Sequence, residues 1–304
     1  MDLISIITVN FHQAEATIEL LKSIELYSIN AQIEVILVDN GSLQHNESLY
    51  LPYKKDLIYV QSTENLGFAG GNNLGIRHAK GKYLFLVNND TEFTPGLVDI
   101  LAQTLDANPK IGIISPKIMY YDDKNIIQYA GFTPMDYLTC RNRCVGQFET
   151  DNGQYDHVVA KTGYIHGAAM MISRAALEKA GGMAENFFLY YEEMDWCDMI
   201  SRAGYEIWIN TNALIYHKES LSVGKNSPLK EFFMNRNRIL FIRRNATKAQ
   251  QLFFWLYFLF FVTPRNVISY LLKGNYNFIS ILFRAIGWNL NNSINSTNLG
   301  YKLK

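Results

Sequence analysis

The sequence predicts an α/β fold: a mostly parallel central sheet flanked by helices, followed by a basic, amphipathic helical C-terminal region. Three observations carry this. Short β-branched apolar runs alternate with helix-period segments through the first third of the chain. Clusters of Asp, Asn, Gly and Pro punctuate them. Residues 225–304 then hold twelve Lys or Arg against a single acid, Glu231, although the whole chain of 304 residues has a formal net charge of zero. A split this sharp predicts two parts with different partners, residues 1–224 and 225–304.

Residues 3–9 form a short apolar run expected to be the first strand. Residues 14–27 set Ile18, Leu21, Ile24 and Leu26 among polar neighbours at near-helical spacing. Further strands are expected at 33–38, 57–61, 82–87 and 111–114. Thr94-Pro95 supplies a helix start, and Asn108-Pro109 its stop. Residues 116–165 show no sustained period and are expected to form hairpins and loops over one end of the sheet. Regularity returns with a strand at 167–172, a helix from Ser173 to the Gly181-Gly182 stop, and a helix over 192–203. Short strands at 206–209 and 213–216 complete the sheet.

The glycine-rich stretch 65–75 is neither a P-loop nor a dinucleotide fingerprint, because it lacks Gly-Lys-Ser/Thr and the first strand ends without glycine. It reads either as a loop that lets a following helix dock closely or as one whose backbone, around Gly67 and Asn72, approaches a nucleotide.

In the tail, LFFWLYFLFFV at 252–262 supplies little more than half of the roughly 20 apolar residues a spanning helix needs before Thr263-Pro264-Arg265-Asn266 intervenes. Residues 267–272 and 278–286 are shorter apolar patches. The expectation is a set of helices in one leaflet, with Arg236, Arg238, Arg243, Arg244 and Lys248 facing lipid phosphates. The alternative is a buried subdomain that packs on the sheet or on a second copy of the chain, as a homodimer. Nucleic acid is not an expected partner, since the aromatics form one block rather than single stacking platforms between bases. The opening MDLISIITVNF has no basic stretch before its apolar run, so it reads as a strand rather than a signal peptide. With only three cysteines, read as ordinary thiols, this points to the cytoplasm and the inner face of the plasma membrane.

In parallel sheets, ligands bind beyond the carboxyl ends of the strands. Asp39 ends the second strand, Asn88-Asn89-Asp90 ends the fourth, Glu192-Glu193-Met194-Asp195 opens a helix, and His217 closes the last strand. Each has an ordinary structural explanation, as a turn former, a helix-dipole partner or a hydrogen-bonded histidine. Their recurrence at strand ends favours a site.

Taken in order, SIITVNF, VILVDNGS, NLGFAGGNNLGI, YLFLVNNDTEFTPG, the long block from Gly167 to Ile207, and YHKES resemble bacterial family 2 glycosyltransferases of the GT-A fold. They look most like the rhamnosyltransferase branch of cell-surface polysaccharide synthesis. The resemblance covers about residues 3–245. It implies that Asp39 recognises the pyrimidine base, whose N3–H suits a carboxylate, and that Thr8, Val9 and Asn10 line the nucleoside pocket. Asp90 matches the last acid of the DxD metal motif, but Asn88 stands where its first Asp would be and is left to bond a ribose or sugar hydroxyl. His217 matches a histidine that completes the metal site in some members, for Mg2+ or Mn2+, of which manganese better tolerates an imidazole. Glu193 stands where the family has the general base, an Asp, and Asp195 is the reserve for that role.

The resemblance thus implies an inverting, metal-dependent hexosyltransferase. Its donor is a nucleotide-diphospho-sugar, either dTDP-rhamnose or a UDP-hexose, and its acceptor a hydroxyl of a cell-surface glycan precursor, which the membrane-facing basic tail suggests is lipid-linked. The departures at Asn88 and Glu193 leave an inactive membrane-associated scaffold as an alternative, and a sugar nucleotidyltransferase is a third.

Overall fold

The computed structural model describes residues 2–28, 31–218 and 227–303. The expected boundary at 224/225 and the Glu219-Ser220 end of the last motif lie outside the described residues. The strands are β1 (Ile4–Asn10), β2 (Ile33–Asn40), β3 (Ile58–Ser62), β4 (Tyr83–Asn88), β5 (Thr91–Phe93), β6 (Ile111–Tyr120), β7 (Ile127–Tyr129), β8 (Val159–Lys161), β9 (Ala169–Ser173) and β10 (Glu206–His217). The first six helices are α1 (Ala14–Tyr27), α2 (Glu47–Tyr50), α3 (Gly67–His78), α4 (Leu97–Ala107), α5 (Arg174–Ala180) and α6 (Glu192–Arg202). The tail contributes α7 (Pro228–Asn245), α8 (Lys248–Tyr257), α9 (Thr263–Leu272) and α10 (Tyr276–Asn291).

The main sheet runs β3-β2-β1-β4-β9-β6-β10-β5. Its β1, β2, β3 and β4 are mutually parallel, as are β6 and β10. Between these groups lies β9, antiparallel to both β4 and β6. The two short strands expected at 206–209 and 213–216 are one strand, β10, whose register against β6 slips between Asn210 and Leu214.

Side chains alternate across the sheet and fill a core on each face. Ile7, Ile36, Val38, Leu84 and Leu86 point to one core, which also holds Trp196 of α6. Ile6, Val35, Leu37, Phe85 and Val87 point to the other, where they meet Leu20, Leu21 and Ile24 from α1 and Leu101 from α4.

The glycine-rich stretch is helical from Gly67 onward rather than a loop. Its close docking is nevertheless what the glycines provide. A Cβ at Gly75 would lie 2.4 Å from Ile7 Cγ2, and one at Gly71 would lie 2.8 Å from Val9 Cγ1.

The tail corrects two expectations. Lys248–Leu272 is one continuous 25-residue helical stretch, long and apolar enough by length and composition to cross a membrane. Thr263-Pro264 does not break it, because the turn at Phe258–Val262 widens to a π-helix in which Thr263 N–H reaches Phe258 O. That widening accommodates a proline ring that would otherwise crowd the carbonyl four residues back.

The arginines, secondly, mostly face protein instead of solvent. Arg236 is fully buried. Arg243 donates to Asn289 Oδ1 and Asn292 O, Arg244 to Asp195, and Arg238 to Thr139 O. Lys248 remains exposed. Phe232, Phe233, Leu240 and Phe241 of α7 join the same core as Trp196 and Leu86, and α10 packs on α7.

The glycine contacts generate a stability test. Gly75→Val is expected to lower unfolding free energy by about 2–3 kcal/mol through overpacking against Ile7. Gly287→Ala in α10, where an added Cβ meets nothing within 4 Å, should gain about 0.5–1 kcal/mol. Urea titration of both variants checks the contrast. Equal effects would contradict the close packing of α3 on β1.

Candidate functional site

Parallel β1, β2 and β4 bring Asn10, Asp39-Asn40 and Asn88 to one edge of the sheet. Because β9 is antiparallel to β4, its beginning reaches the edge where those strands end. Asn88 N–H bonds Ala168 O at 2.9 Å, so His166 and Gly167 arrive beside the β4 terminus. The start of α6 and the end of β10 close the ring. The cleft between them has a volume of about 590 Å³.

Of the residues singled out in the sequence, Val9, Gly67, Asn72, Asn88, Asp90, Glu193 and His217 line this cavity. Thr8, Asn10, Asp39 and Asp195 do not. Thr8 is fully buried within β1. Asn10 donates to Asp39 and accepts from Gln13 N–H and Thr17 Oγ1.

Asp39 is a hub. Its Oδ1 accepts from Asn10 Nδ2 at 3.0 Å and Ser42 Oγ at 2.7 Å, and its Oδ2 from Asn46 Nδ2 at 3.0 Å and Tyr59 OH at 2.6 Å. Burial works to raise its pKa, but these four donors outweigh it and hold the carboxyl below its ordinary value. The carboxylate is therefore already satisfied, behind the cavity wall.

Asn40, next to it, faces the cavity and pins the start of α3. Its Oδ1 accepts from Leu66 N–H at 2.9 Å, and its Nδ2 donates to Gly67 O at 3.2 Å. Gly67 has φ +70°, and a Cβ there would lie 2.2 Å from Phe188 O, so only glycine fits.

At the end of β10, His217 Nδ1 lies 2.8 Å from Gln128 Oε1, an acceptor, so this nitrogen donates. Nε2 is left facing Asp90 Oδ1 at 3.1 Å and Asn88 Nδ2 at 3.4 Å. The contact with Asp90 does not have hydrogen-bond geometry, and Asp90 Oδ1 is buried without a donor. An orphaned carboxylate oxygen beside an imidazole nitrogen suits a divalent cation. Among the described residues no cluster of three or more His, Cys, Asp or Glu could hold a metal. A cation here would draw its remaining ligands from the substrate.

Glu192 and Glu193 open α6 and line the cavity. Burial raises the pKa of both carboxyl groups. Glu192 goes well above its ordinary value, pushed by burial and then by Glu193, and its Oε2 has no donor. Glu193 is pushed by burial to about 7. Two adjacent carboxyls do not readily ionise together, and Glu192, at 3% exposure, is harder to ionise than the half-buried Glu193.

Asp195 is elsewhere. It is fully buried, and Arg244 grips both its oxygens at 2.9 and 3.1 Å while Asn245 Nδ2 donates at 2.7 Å. This ion pair fastens α6 to α7, and Asp195 is not at hand to serve as a base in the cavity.

Sequence reading passed over His166 and residues 188–190, which also line the cavity. Burial drives the His166 pKa down to about 3, and its Nδ1 accepts from Ala168 N–H at 3.1 Å. The signal for His166 was its place directly before Gly167, but only the antiparallel direction of β9 puts it at the site. Residues Phe188, Tyr190 and Tyr191 have φ of +66°, +71° and +74°. Such conformations cost non-glycine residues about 1 kcal/mol or more each and persist only where surroundings hold them.

Known proteins resemble the chain as follows. The model of Glycosyl transferase family 2 matches residues 5–181, more than half of the chain. A low-salt glycan biosynthesis hexosyltransferase of Haloferax volcanii is 32% identical over 202 residues, which cover 65% of this chain and 61% of that protein. The chain thus spans about three fifths of that relative's length. An N-acetylglucosaminyl-diphospho-decaprenol L-rhamnosyltransferase of Mycobacterium tuberculosis is 20% identical over 71% of this chain and 76% of its own. Among solved structures, a mannosyltransferase from Pyrobaculum calidifontis in complex with GDP-Man and Mn2+ superposes with TM-score 0.59 at 15% identity, covering 95% of this chain and 87% of that one. The fold is GT-A.

The two acids of α6 should separate in a denaturation series. Asp195→Asn strands Arg244 and is expected to cost about 3 kcal/mol. Glu193 behaves oppositely. Its folded-state pKa stands above its ordinary 4.5, so its contribution to stability is complete below that value and is lost as pH rises through about 7. Glu193→Gln should remove that decline between about pH 5 and 8. A parent-like slope in Glu193→Gln would contradict the burial of this carboxyl.

Proposed function

This chain belongs to glycosyl transferase family 2, and we propose that it is an inverting glycosyltransferase that moves a sugar from a pyrimidine nucleotide-diphospho-sugar to a hydroxyl of a lipid-linked glycan. The observation that carries the reading is one cavity lined both by Glu193, whose pKa burial raises to about 7, and by Asp90 and His217.

The mechanism uses these parts in one displacement. Ionised Glu193 takes the acceptor's hydroxyl proton as that oxygen attacks the anomeric carbon. The bond from that carbon to the diphosphate oxygen breaks on the opposite face, and the anomeric configuration inverts. Glu192, more deeply buried than its neighbour and raised further by it, favours its protonated form and leaves Glu193 to act as the base. Asp90 and His217 would hold Mn2+ or Mg2+, whose charge would offset that of the departing diphosphate. Asn88, beside them, is suited to a ribose or sugar hydroxyl. The Mn2+ in the Pyrobaculum structure supports a divalent cation.

Asp39 recognises the base in this proposal after a local exchange. A uracil or thymine N3–H reaches its carboxylate once Ser42 or Asn46, both in the turn that follows β2, gives up its bond. Val9, Gly67 and Asn72 then line the path to the diphosphate. Among sugars, rhamnose draws support from the mycobacterial relative, whose name also specifies a diphospho-decaprenol acceptor.

Membrane apposition explains the tail's surface. Leu252, Phe253, Leu256, Phe260, Phe261 and Leu272 are half or more exposed. Exposed Lys248, Arg265, Lys273 and Arg284 flank them. An apolar face bordered by cations suits an anionic bilayer surface, with the catalytic unit held in the cytoplasm at the inner leaflet.

Calorimetry with UDP, dTDP and their sugar conjugates is expected to show Mn2+-dependent binding that weakens in Asp90→Ala. Turnover of the accepted donor should fall as pH drops below about 7 and fall by about 10²–10⁴ in Glu193→Gln. NMR of the product should show an inverted anomer. Absence of binding across the panel would make an inactive scaffold the better reading.

A separate flotation assay addresses the tail. Wild-type protein should float with anionic vesicles, and Phe260→Ser with Phe261→Ser should lose most of that binding without unfolding. Equal flotation of the double variant would refute apposition through this face.

A further inference from the structure

We propose that Arg236 and Asn237, adjacent residues of α7, are positioning residues of the reaction: they clamp the backbone of residues 186–190 and thereby set where Glu193 stands in the cavity wall. The inference rests on the reading of Glu193 as the base.

The clamp is dense. Asn237 Nδ2 faces three carbonyl oxygens, Phe187 O at 2.9 Å, Leu189 O at 2.7 Å and Tyr190 O at 2.8 Å. Its own Oδ1 accepts from Arg236 Nε at 2.7 Å, which fixes the direction of the amide. Arg236 Nη2 donates to Asn186 O and, at 3.0 Å, to Phe187 O. Its Nη1 reaches Leu299 O at 2.8 Å. The guanidinium lies between the rings of Phe233 and Trp288, with its carbon 4.8 and 4.6 Å from their centres. Both side chains are fully buried.

What they hold would not hold itself. Three of the four residues from Phe188 to Tyr191 take left-handed backbone conformations without being glycine. Asn186 and Phe187 end a single 3-10 turn, Glu185–Phe187, and Leu189 and Tyr190 lie in no strand or helix, so these buried carbonyls need donors from elsewhere. On its other side Phe188 O accepts from Phe68 N–H at 2.7 Å, so α3 and α7 grip the segment between them. Tyr191 leads directly into α6, where Glu192 and Glu193 are the first two residues. Releasing the clamp lets the segment relax and moves the start of α6. A shift of about 1 Å at a reacting group is enough to cost about 100-fold in rate.

A merely structural role predicts lost stability with normal catalysis in whatever folds. Positioning predicts more. Folded Asn237→Ala is expected to bind UDP with Mn2+ as the parent does and to keep the donor KM, while kcat falls by about 100-fold. The acid limb of its pH–rate profile should also move down toward the ordinary carboxylate range as water reaches Glu193. Parent kcat and an unmoved limb in folded Asn237→Ala would overturn the inference.

Should that variant fail to fold, Arg236→Lys carries the same readouts, since it keeps the charge but offers one nitrogen to four acceptors. Parent values there overturn the inference equally. Glu193→Gln run alongside separates the two levels. If it turns over at the parent rate, the base assignment fails and this inference with it. If it is inactive while the clamp variants match the parent, only the clamp fails.

Discussion

Two adjacent carboxyl groups at the start of α6, Glu192 buried and Glu193 half-buried, impose the strictest demand on this structure. A buried carboxylate is costly unless paired, and among the described residues neither Glu192 nor Glu193 has a cation in hydrogen-bond contact. The protein meets that cost by shifting their titration rather than by pairing them. Asp195, two residues beyond Glu193 and fully buried, receives the opposite treatment: a bidentate arginine and an amide. The same helix therefore carries Asp195, which is paired with a cation, and two adjacent carboxyls whose titration is raised by burial. The first fastens helices, and the others line the cavity.

The rest of the site is arranged around that wall by strand direction. Parallel strands deliver Val9, Asn40 and Asn88 to one edge, and the antiparallel insertion of β9 delivers His166 and Gly167 to the same edge from the other direction. Asp39 binds this edge together from behind. With two donors on each oxygen, it ties the ends of β1 and β2, Tyr59 of β3 and the approach to α2 into one unit. A ligand that recruits it exchanges one hydrogen bond for another of similar strength, which is a small energetic step.

The C-terminal region serves two physical ends. Its first helix is core, sharing apolar contacts with the sheet and, through Arg244, an ion pair with α6. The long helical stretch that follows turns large apolar side chains outward. The basic charge that distinguishes the tail is divided in the same way. Arg236, Arg243 and Arg244 are spent on carbonyls, amides and Asp195, and Lys248, Arg265, Lys273 and Arg284 stay at the surface.

By itself the sequence determined the order and type of most elements, because strand and helix periods and their Gly, Pro and Asn stops are local properties. It also determined that polar residues gather at strand ends, and the motif order that marks family 2. Tertiary structure decided the rest. Periodicity does not reveal that β9 runs antiparallel, so His166 was invisible as a cavity residue. Spacing in α6 presented Glu193 and Asp195 as near equals, and only the arrival of Arg244 from α7 removed one of them. Charge counting took the tail arginines for a lipid-facing set, since sequence records a charge but not which carbonyl or carboxylate will meet it. The helix through Pro264 likewise depended on a π-turn that no local propensity announces. In each case the deciding partner comes from a distant part of the chain, and burial, which sets the energy of every polar group here, exists only once the chain has folded.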